Sequence, residues 1–177
     1  MSQTDPAPPL TPDDPTRKPT VARPDTDAGL THVGVVGDTC TLLLTGEATN
    51  GRYCLIDMYV PPGGGPPPHR HDFEESFTVL EGEIGVAVRG ERVAVRAGET
   101  AHVPALAPHA FANAAAPERL LCVCAPAGQE AFFLEVGVPV AGRTEAPEPL
   151  DEAAQATFRA KSSALAPKYR TELLKGT

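Results

Sequence analysis

Two histidines and a glutamate stand close together in the segment PPGGGPPPHRHDFEESFTVLEG, which covers residues 61–82. His69 and His71 are two positions apart, and Glu75 follows four positions after His71. Side chains two positions apart lie on one face of an extended strand, so all three are expected to point the same way. Two imidazoles and a carboxylate that converge on one point can bind a divalent transition metal. The spacing therefore predicts a metal site.

The residues that follow favour Glu75 over its neighbour Glu74 as the acidic ligand. Phe77 and Val79 continue the face of Glu75 as an apolar, inward-facing row. Glu74 is one step out of register and is expected to face the other way. We therefore select Glu75 as the ligand, and also as the catalytic residue, because a carboxylate can accept a proton from a bound substrate.

A second segment, GETAHVPALAPHAFAN over residues 98–113, contains the candidate for a further ligand. Together the two segments resemble the two sequence motifs of the cupins. Every interval of both motifs is matched, although Leu106 stands where the second motif usually has glycine. The matching residues are Gly63, His69, His71, Glu75 and Gly82 in the first motif and Gly98, Pro104, His109 and Asn113 in the second. The resemblance implies that His109 completes the metal ligand set.

The resemblance also implies an all-β fold, the cupin jelly-roll (double-stranded β-helix) barrel. The pattern of the chain agrees, because about nine or ten short runs rich in β-forming residues alternate with turn signals, with no helix between them. One hairpin is expected to turn near Gly90, and residues 131–136 are among the strand candidates. In the run 53–60, the pattern does not decide whether the face of Cys54 or the face of Tyr53 points into the barrel.

Composition divides the chain into three parts. Residues 1–28 are rich in Pro, Asp and Thr with few large apolar side chains, which predicts a segment that is disordered or draped over the surface. Residues 29–137 carry the strand pattern and form the predicted barrel. Residues 138–177 read as a linker followed by a C-terminal helix over 150–165, with Asp151 as its N-cap. We expect this helix to pack on the barrel exterior, with a lid or dimer element as the alternative.

Charge and hydropathy exclude several classes of partner. The net charge of −8 argues against binding to nucleic acid or to an anionic membrane surface. The sequence has neither an apolar run long enough to span a membrane nor a recognisable signal peptide, so a cytoplasmic location is expected. A small-molecule substrate is the expected partner, and homodimer formation is left open.

The ligand set defines the expected chemistry. Three imidazoles and one carboxylate would hold one divalent ion per chain and, in octahedral coordination, leave two positions for water, dioxygen or a chelating substrate. Mixed nitrogen and oxygen ligands suit Fe, Mn, Ni, Co, Cu or Zn. The chain resembles small single-domain cupins often compared with quercetin dioxygenases, which implies a dioxygenase acting on a small enolizable or aromatic substrate. A metal-containing binding module without turnover and a cupin isomerase or decarboxylase are the alternatives.

Several other side chains have expected roles around this site. Phe77, Val79 and Phe111 are the expected walls of an apolar substrate pocket. The cysteines are expected to be reduced core residues, with Cys124 as the one most suited to line the cavity; they are Cys40, Cys54, Cys122 and Cys124. His102 is expected at the surface or rim, and Asp57, Tyr53 and Tyr59 are unassigned polar candidates.

Overall fold

Two antiparallel sheets pack face to face in the computed structural model, which describes residues 9–113 and 116–175. The predicted disordered segment therefore lies partly outside the described residues, at positions 1–8. The larger sheet contains, in spatial order, β11 (Val138–Pro139), β1 (His32–Val35), β2 (Asp38–Leu44), β3 (Cys54–Val60), β10 (Glu118–Ala125), β5 (Glu74–Glu81) and β8 (Thr100–Val103). The smaller sheet contains β12 (Thr171–Leu173), β4 (His69–His71), β9 (His109–Ala112), β6 (Glu83–Val88) and β7 (Glu91–Arg96). The predicted all-β jelly-roll is confirmed.

The hydrophobic core lies between the two sheets and is built from alternate residues of the strands. On β3 the face that points inward is the one that contains Cys54, Ile56 and Met58, all of which are buried. On β5 the inward face contains Phe77 and Val79. The alternation is the expected consequence of the two-residue period of a strand that is buried on one face.

Two helices lie within the part of the chain that carries the strand pattern. A single turn, α1 (Gly46–Thr49), separates β2 from β3, and α2 (Gln129–Val136) follows β10. The prediction of a strand over 131–136 is therefore wrong. Phe132, Phe133 and Val136 are the buried apolar residues of α2, and their spacing suits one face of a helix. An apolar run this short does not distinguish a strand from a buried helix by periodicity.

The C-terminal part contains the predicted helix and an additional strand. Helix α3 (Glu152–Leu165) begins at Asp151, whose carboxylate accepts a hydrogen bond from the backbone N–H of Ala154 at 2.8 Å. A short 3-10 helix (Ala166–Tyr169) follows and leads into β12. Among the described residues, none of the helices combines the length and the apolar character needed to cross a membrane.

Strand β12 pairs with β4, the short strand that contains the two motif histidines. Thr171 lies opposite His71 and Leu173 lies opposite His69. An ion pair between Arg70 and Glu172, with 2.5 Å between nitrogen and oxygen, links the outer faces of the two strands. The other neighbour, β9, is paired with β4 only at His69 and His109. The C-terminal strand therefore supplies most of the backbone pairing of β4.

The loop between β3 and β4 is fixed by two buried polar side chains. Asp38 accepts a hydrogen bond from the backbone N–H of Gly65 at 3.1 Å. The side-chain amide of Asn113 donates to the carbonyl oxygen of Val60 at 2.8 Å, and the backbone carbonyl of Asn113 accepts from the N–H of Gly63 at 2.9 Å. The bond from the side chain to Val60 depends on the asparagine that ends the second motif, which therefore helps to hold the loop that leads to His69.

The buried carboxyl of Asp38 makes the stability of the fold depend on pH. Burial raises the pKa of Asp38 to about 7, although the N–H of Gly65 partly opposes the shift. The pKa of Asp38 is therefore higher in the folded protein than in the unfolded chain. The contribution of the protonated Asp38 to the free energy of unfolding is complete only below about pH 4, and it is lost as the pH rises through 7.

Asp38→Asn is expected to remove this dependence, because the amide keeps an acceptor oxygen for Gly65 but does not ionise. We compare the free energy of unfolding of the variant with that of the unaltered chain at each pH. The gain of the variant should be about 2 kcal/mol larger at pH 8 than at pH 5. Urea denaturation at the two pH values measures the difference. A gain that is the same at both would contradict the explanation.

Candidate metal centre

Three strands from both sheets bring the four motif side chains to one point. Strand β4 contributes His69 and His71, β9 contributes His109, and β5 contributes Glu75 from the opposite sheet. One ligand atom from each of the four residues lies within 4.8 Å of all the others. All four side chains are buried, and none is more than 6% exposed. The arrangement forms a compact buried set of three imidazoles and one carboxylate.

Backbone carbonyls fix the orientation of all three imidazole rings. In each ring Nδ1 lies 2.9 Å from the carbonyl oxygen of a residue two positions away in the sequence. The carbonyls belong to Pro67 for His69, Phe73 for His71 and Ala107 for His109. A carbonyl only accepts, so Nδ1 carries the proton in each ring, and Nε2 is the atom available to bind a metal.

Phe73 holds His71 in a second way that the sequence motif did not indicate. The two rings are stacked almost in parallel, with 3.7 Å between centroids and an angle of 3° between planes. The same residue supplies the carbonyl that accepts from Nδ1 of His71. The ring therefore has little freedom to rotate away from Glu75, which favours a preorganised site.

The protonation of the site is set by burial and by the close approach of charged groups. Burial, together with the nearby His109, lowers the pKa of His69 to about 4, so this imidazole is neutral at pH 7. Burial alone would raise the pKa of Glu75, but hydrogen bonds with His109 and His71 outweigh it and hold the pKa well below its usual range. Glu75 is therefore a carboxylate, which is the form that binds a metal.

The two oxygens of Glu75 face different groups. Oε2 lies 3.1 Å from Nε2 of His71 and 3.0 Å from Nε2 of His109. Oε1 faces the thiols of Cys122, at 3.2 Å, and Cys124, at 3.6 Å. Nothing in the sequence pattern connects these two cysteines with Glu75, because the contact depends on the pairing of β10 with β5. The alternating pattern of β10 showed only that both thiols share one face.

The opposite face of β5 contains the neighbouring acidic residue. Glu74 is exposed, and its carboxylate lies 3.1 Å from Nε2 of His102 on β8. His102 is also exposed, and its Nδ1 lies 3.1 Å from the hydroxyl of Ser76. Both residues are therefore on the outer surface of the larger sheet, away from the four buried ligand candidates. This agrees with the expectation of a surface position for His102.

Asp57 lies on the outer face of β3 and takes part in ion pairs instead of facing the candidate site. Its carboxylate is 3.3 Å from a guanidinium nitrogen of Arg119 and 3.6 Å from one of Arg143. Arg143 also pairs with Asp25 at 2.6 Å, so the segment after β11 and the N-terminal segment meet over this face. These contacts indicate a structural role for Asp57.

The three residues expected to line a substrate pocket lie in the barrel interior near Glu75. Phe77 and Phe111 pack edge to face, with 5.1 Å between ring centroids and 66° between planes. Val79 is fully buried on the same face of β5 as Phe77. Their role as walls of a substrate pocket stays a prediction.

Leu106, the departure from the second motif, keeps a backbone conformation that favours glycine. Its φ of 66° is in the left-handed region, and its backbone N–H donates to the carbonyl of His71 at 2.6 Å. Its side chain is 61% exposed, so packing contributes little to hold it there. The substitution therefore preserves the turn at the expense of backbone strain.

Leu106→Gly is expected to raise the free energy of unfolding by up to about 1 kcal/mol. A left-handed conformation costs a residue with a Cβ about 1–2 kcal/mol, and the larger entropy of glycine in the unfolded chain offsets part of the gain. Leu106→Ala retains a Cβ and serves as the control, for which no gain is expected. Thermal unfolding of both variants checks this, and equal effects would show that the turn is unstrained.

Comparisons with known proteins agree with this geometry. Residues 56–124 match the Cupin_2 family model, described as a cupin domain. The chain is 28% identical over 102 residues to quercetin 2,3-dioxygenase of Bacillus subtilis (strain 168), a match that covers 57% of this chain but only 30% of that relative.

Solved structures show the same fold. A predicted oxalate decarboxylase from Thermotoga maritima is similar with a TM-score of 0.55 and 21% identity, over 60% of this chain and 99% of that one. An RmlC-like cupin from Shewanella frigidimarina is similar with a TM-score of 0.54 and 19% identity, over 64% and 96% of the two chains. Both motifs lie on the strands of a jelly-roll, and the cupin domain model matches residues 56–124 at its centre, so the chain has the cupin fold.

Proposed function

We propose that the chain binds one divalent transition metal ion through His69, His71, Glu75 and His109, and that it is a metal-dependent dioxygenase. One observation supports the metal site above all. Oε2 of Glu75 lies within 3.1 Å of Nε2 of both His71 and His109. In both rings Nδ1 already donates its proton to a backbone carbonyl. Without a metal, these contacts require a second proton on each ring, which would place two cations in a buried site. A metal ion replaces both protons.

The donor set fits such an ion. The neutral imidazole of His69 and the ionised Glu75 are in the forms that coordinate a metal. Nitrogen and oxygen donors suit Fe, Mn, Ni, Co, Cu and Zn, and the Irving–Williams order alone does not select among them. Elemental analysis of protein purified without added metal would identify the ion, with iron or manganese supporting redox chemistry and zinc weakening it.

When bound, the ion would supply Lewis-acid polarisation of a chelated substrate oxygen. The chain itself would orient the substrate and exclude water, because all four ligand candidates are buried and the interior next to Glu75 is lined by Phe77 and Phe111. Glu75 would hold the ion and, if its carboxylate turned away from the ion, would accept a proton from an enolizable substrate. The similarity to a quercetin 2,3-dioxygenase supports a flat or small organic substrate of this class.

Glu75→Gln tests this role, since it retains the size of the side chain and removes its charge. We expect turnover to fall about 100-fold or more, and substrate affinity to change much less. Oxygen consumption by the iron-loaded and manganese-loaded variant, with a panel of enolizable substrates, measures turnover, and metal content is measured in parallel. Glu74→Gln, the adjacent acid on the opposite face, is the matched control and should behave as the unaltered chain.

Two results would contradict the dioxygenase proposal. In one, ligands bind at the metal but no oxygen is consumed with any substrate, which would assign the chain as a binding module. In the other, substrate is converted without oxygen uptake, which would assign an isomerase or decarboxylase.

A further inference from the structure

The thiols of Cys122 and Cys124 form a second ligand cluster on the far side of Glu75. Both cysteines are on β10, where Cys124 lies opposite Glu75 and Cys122 lies opposite Phe77 on β5. Their sulfur atoms are 3.6 Å apart, and they lie 3.2 Å and 3.6 Å from Oε1 of Glu75. Both side chains are almost completely buried. Two sulfurs and one carboxylate oxygen thus form a small triangle.

The size of this triangle suits one face of a tetrahedral metal site. An ion about 2.3 Å from each sulfur and about 2.1 Å from the oxygen has tetrahedral ligand atoms about 3.6–3.8 Å apart. The distance between the two sulfurs and the distance from Cys124 to Oε1 are both 3.6 Å, and the distance from Cys122 to Oε1 is shorter, at 3.2 Å. Cys54 is buried and lies directly opposite Cys124 on β3. It is a candidate for the fourth donor.

The chemistry of these donors differs from that of the histidine cluster. Thiolates are soft ligands and select Zn(II), Cd(II) or Cu(I), whereas imidazole and carboxylate accept a wider range of ions. Two thiolates also neutralise the charge of a divalent ion, which reduces the cost of placing it in the core. Glu75 presents Oε2 to the histidines and Oε1 to the thiols, so the carboxylate can serve both clusters.

We propose that Cys122, Cys124 and Oε1 of Glu75 form a second metal site, which takes a thiophilic ion. Each divalent ion that binds displaces the two thiol protons, which are released to solvent. The inference does not depend on the dioxygenase activity or on occupancy of the histidine cluster.

Cadmium titration of the reduced, metal-free full chain tests the site, because thiolate-to-cadmium charge transfer gives an ultraviolet absorption that histidine and carboxylate ligands do not produce. We expect the band to grow until one equivalent is bound to sulfur. The band should persist in His71→Ala, where the histidine cluster is impaired, and should disappear in the double variant Cys122→Ser, Cys124→Ser.

Matched variants separate the site from general thiol reactivity. Cys40→Ser removes a buried thiol of β2 outside the triangle and should leave the band unchanged. If the double variant does not fold, Cys122→Ser alone retains a hydroxyl donor to Glu75 and should reduce the band to about half. Absence of the band in both the unaltered chain and His71→Ala would overturn the proposal, as would a band that survives loss of Cys122 and Cys124.

Discussion

A chain in which both His71 and His109 are replaced by alanine is expected to bind Mn(II) at least about 100-fold more weakly than the unaltered protein. These are the two rings whose Nε2 atoms contact Oε2 of Glu75. Their removal leaves one imidazole and one carboxylate in the histidine cluster, which is too few donors to hold Mn(II) at low concentration. A Mn(II) titration would show the loss, because thiolates select softer ions.

The double variant should remain folded, because most of the core lies away from these two side chains. His102→Ala is the matched control, since His102 lies on the outer surface near Glu74 and should not affect metal content. Undiminished Mn(II) affinity in the double variant would show that the ligands have been assigned incorrectly. Loss of metal in His102→Ala would show that the outer surface also contributes.

Gly65→Ala is expected to lower the free energy of unfolding by about 3 kcal/mol or more. Gly65 has a φ of 117°, a region that residues with a Cβ rarely adopt, and a Cβ at this position would overlap the carbonyl oxygen of Phe111. The overlap is with backbone atoms of β9, which cannot move without disturbing the pairing that positions His109. Urea denaturation of the variant measures the effect.

Gly63→Ala is the matched control in the same loop. Gly63 also has a positive φ, of 81°, but a Cβ there would meet no atom within 4 Å. Only the conformational cost should therefore appear, at about 1 kcal/mol. If the two variants are destabilised equally, close packing of the loop against β9 is not the reason for glycine at position 65.

The parts of the site that could be predicted from the sequence are those fixed by local geometry. The inward direction of Glu75 and the outward direction of Glu74 follow from the two-residue period of a single strand. The place of His109 came from the resemblance to the cupins, since the residue is far from the other three in sequence. The structure then brings the four residues together as the motifs implied.

Features that depend on the register between distant strands could not be predicted. The contact of Cys122 with Glu75 arises only because β10 pairs with β5, and nothing in either segment indicates that register. Helix α2 was missed for a different reason, since the spacing of Phe132, Phe133 and Val136 becomes distinctive only when the buried face is known. Strand β12 is three residues long, which is too short for any periodicity.

The pairing of β12 with β4 has a consequence for the order in which the protein can assemble during synthesis. The ribosome produces all four ligand candidates well before residues 171–173, yet β4 obtains most of its backbone partners from those later residues. A nascent chain that has just exposed His109 therefore has its histidine strand largely unpaired. The backbone pairing of β4 is completed only after β12 has been translated, so an ion bound by the candidate centre would reach its final geometry late in the biogenesis of the protein.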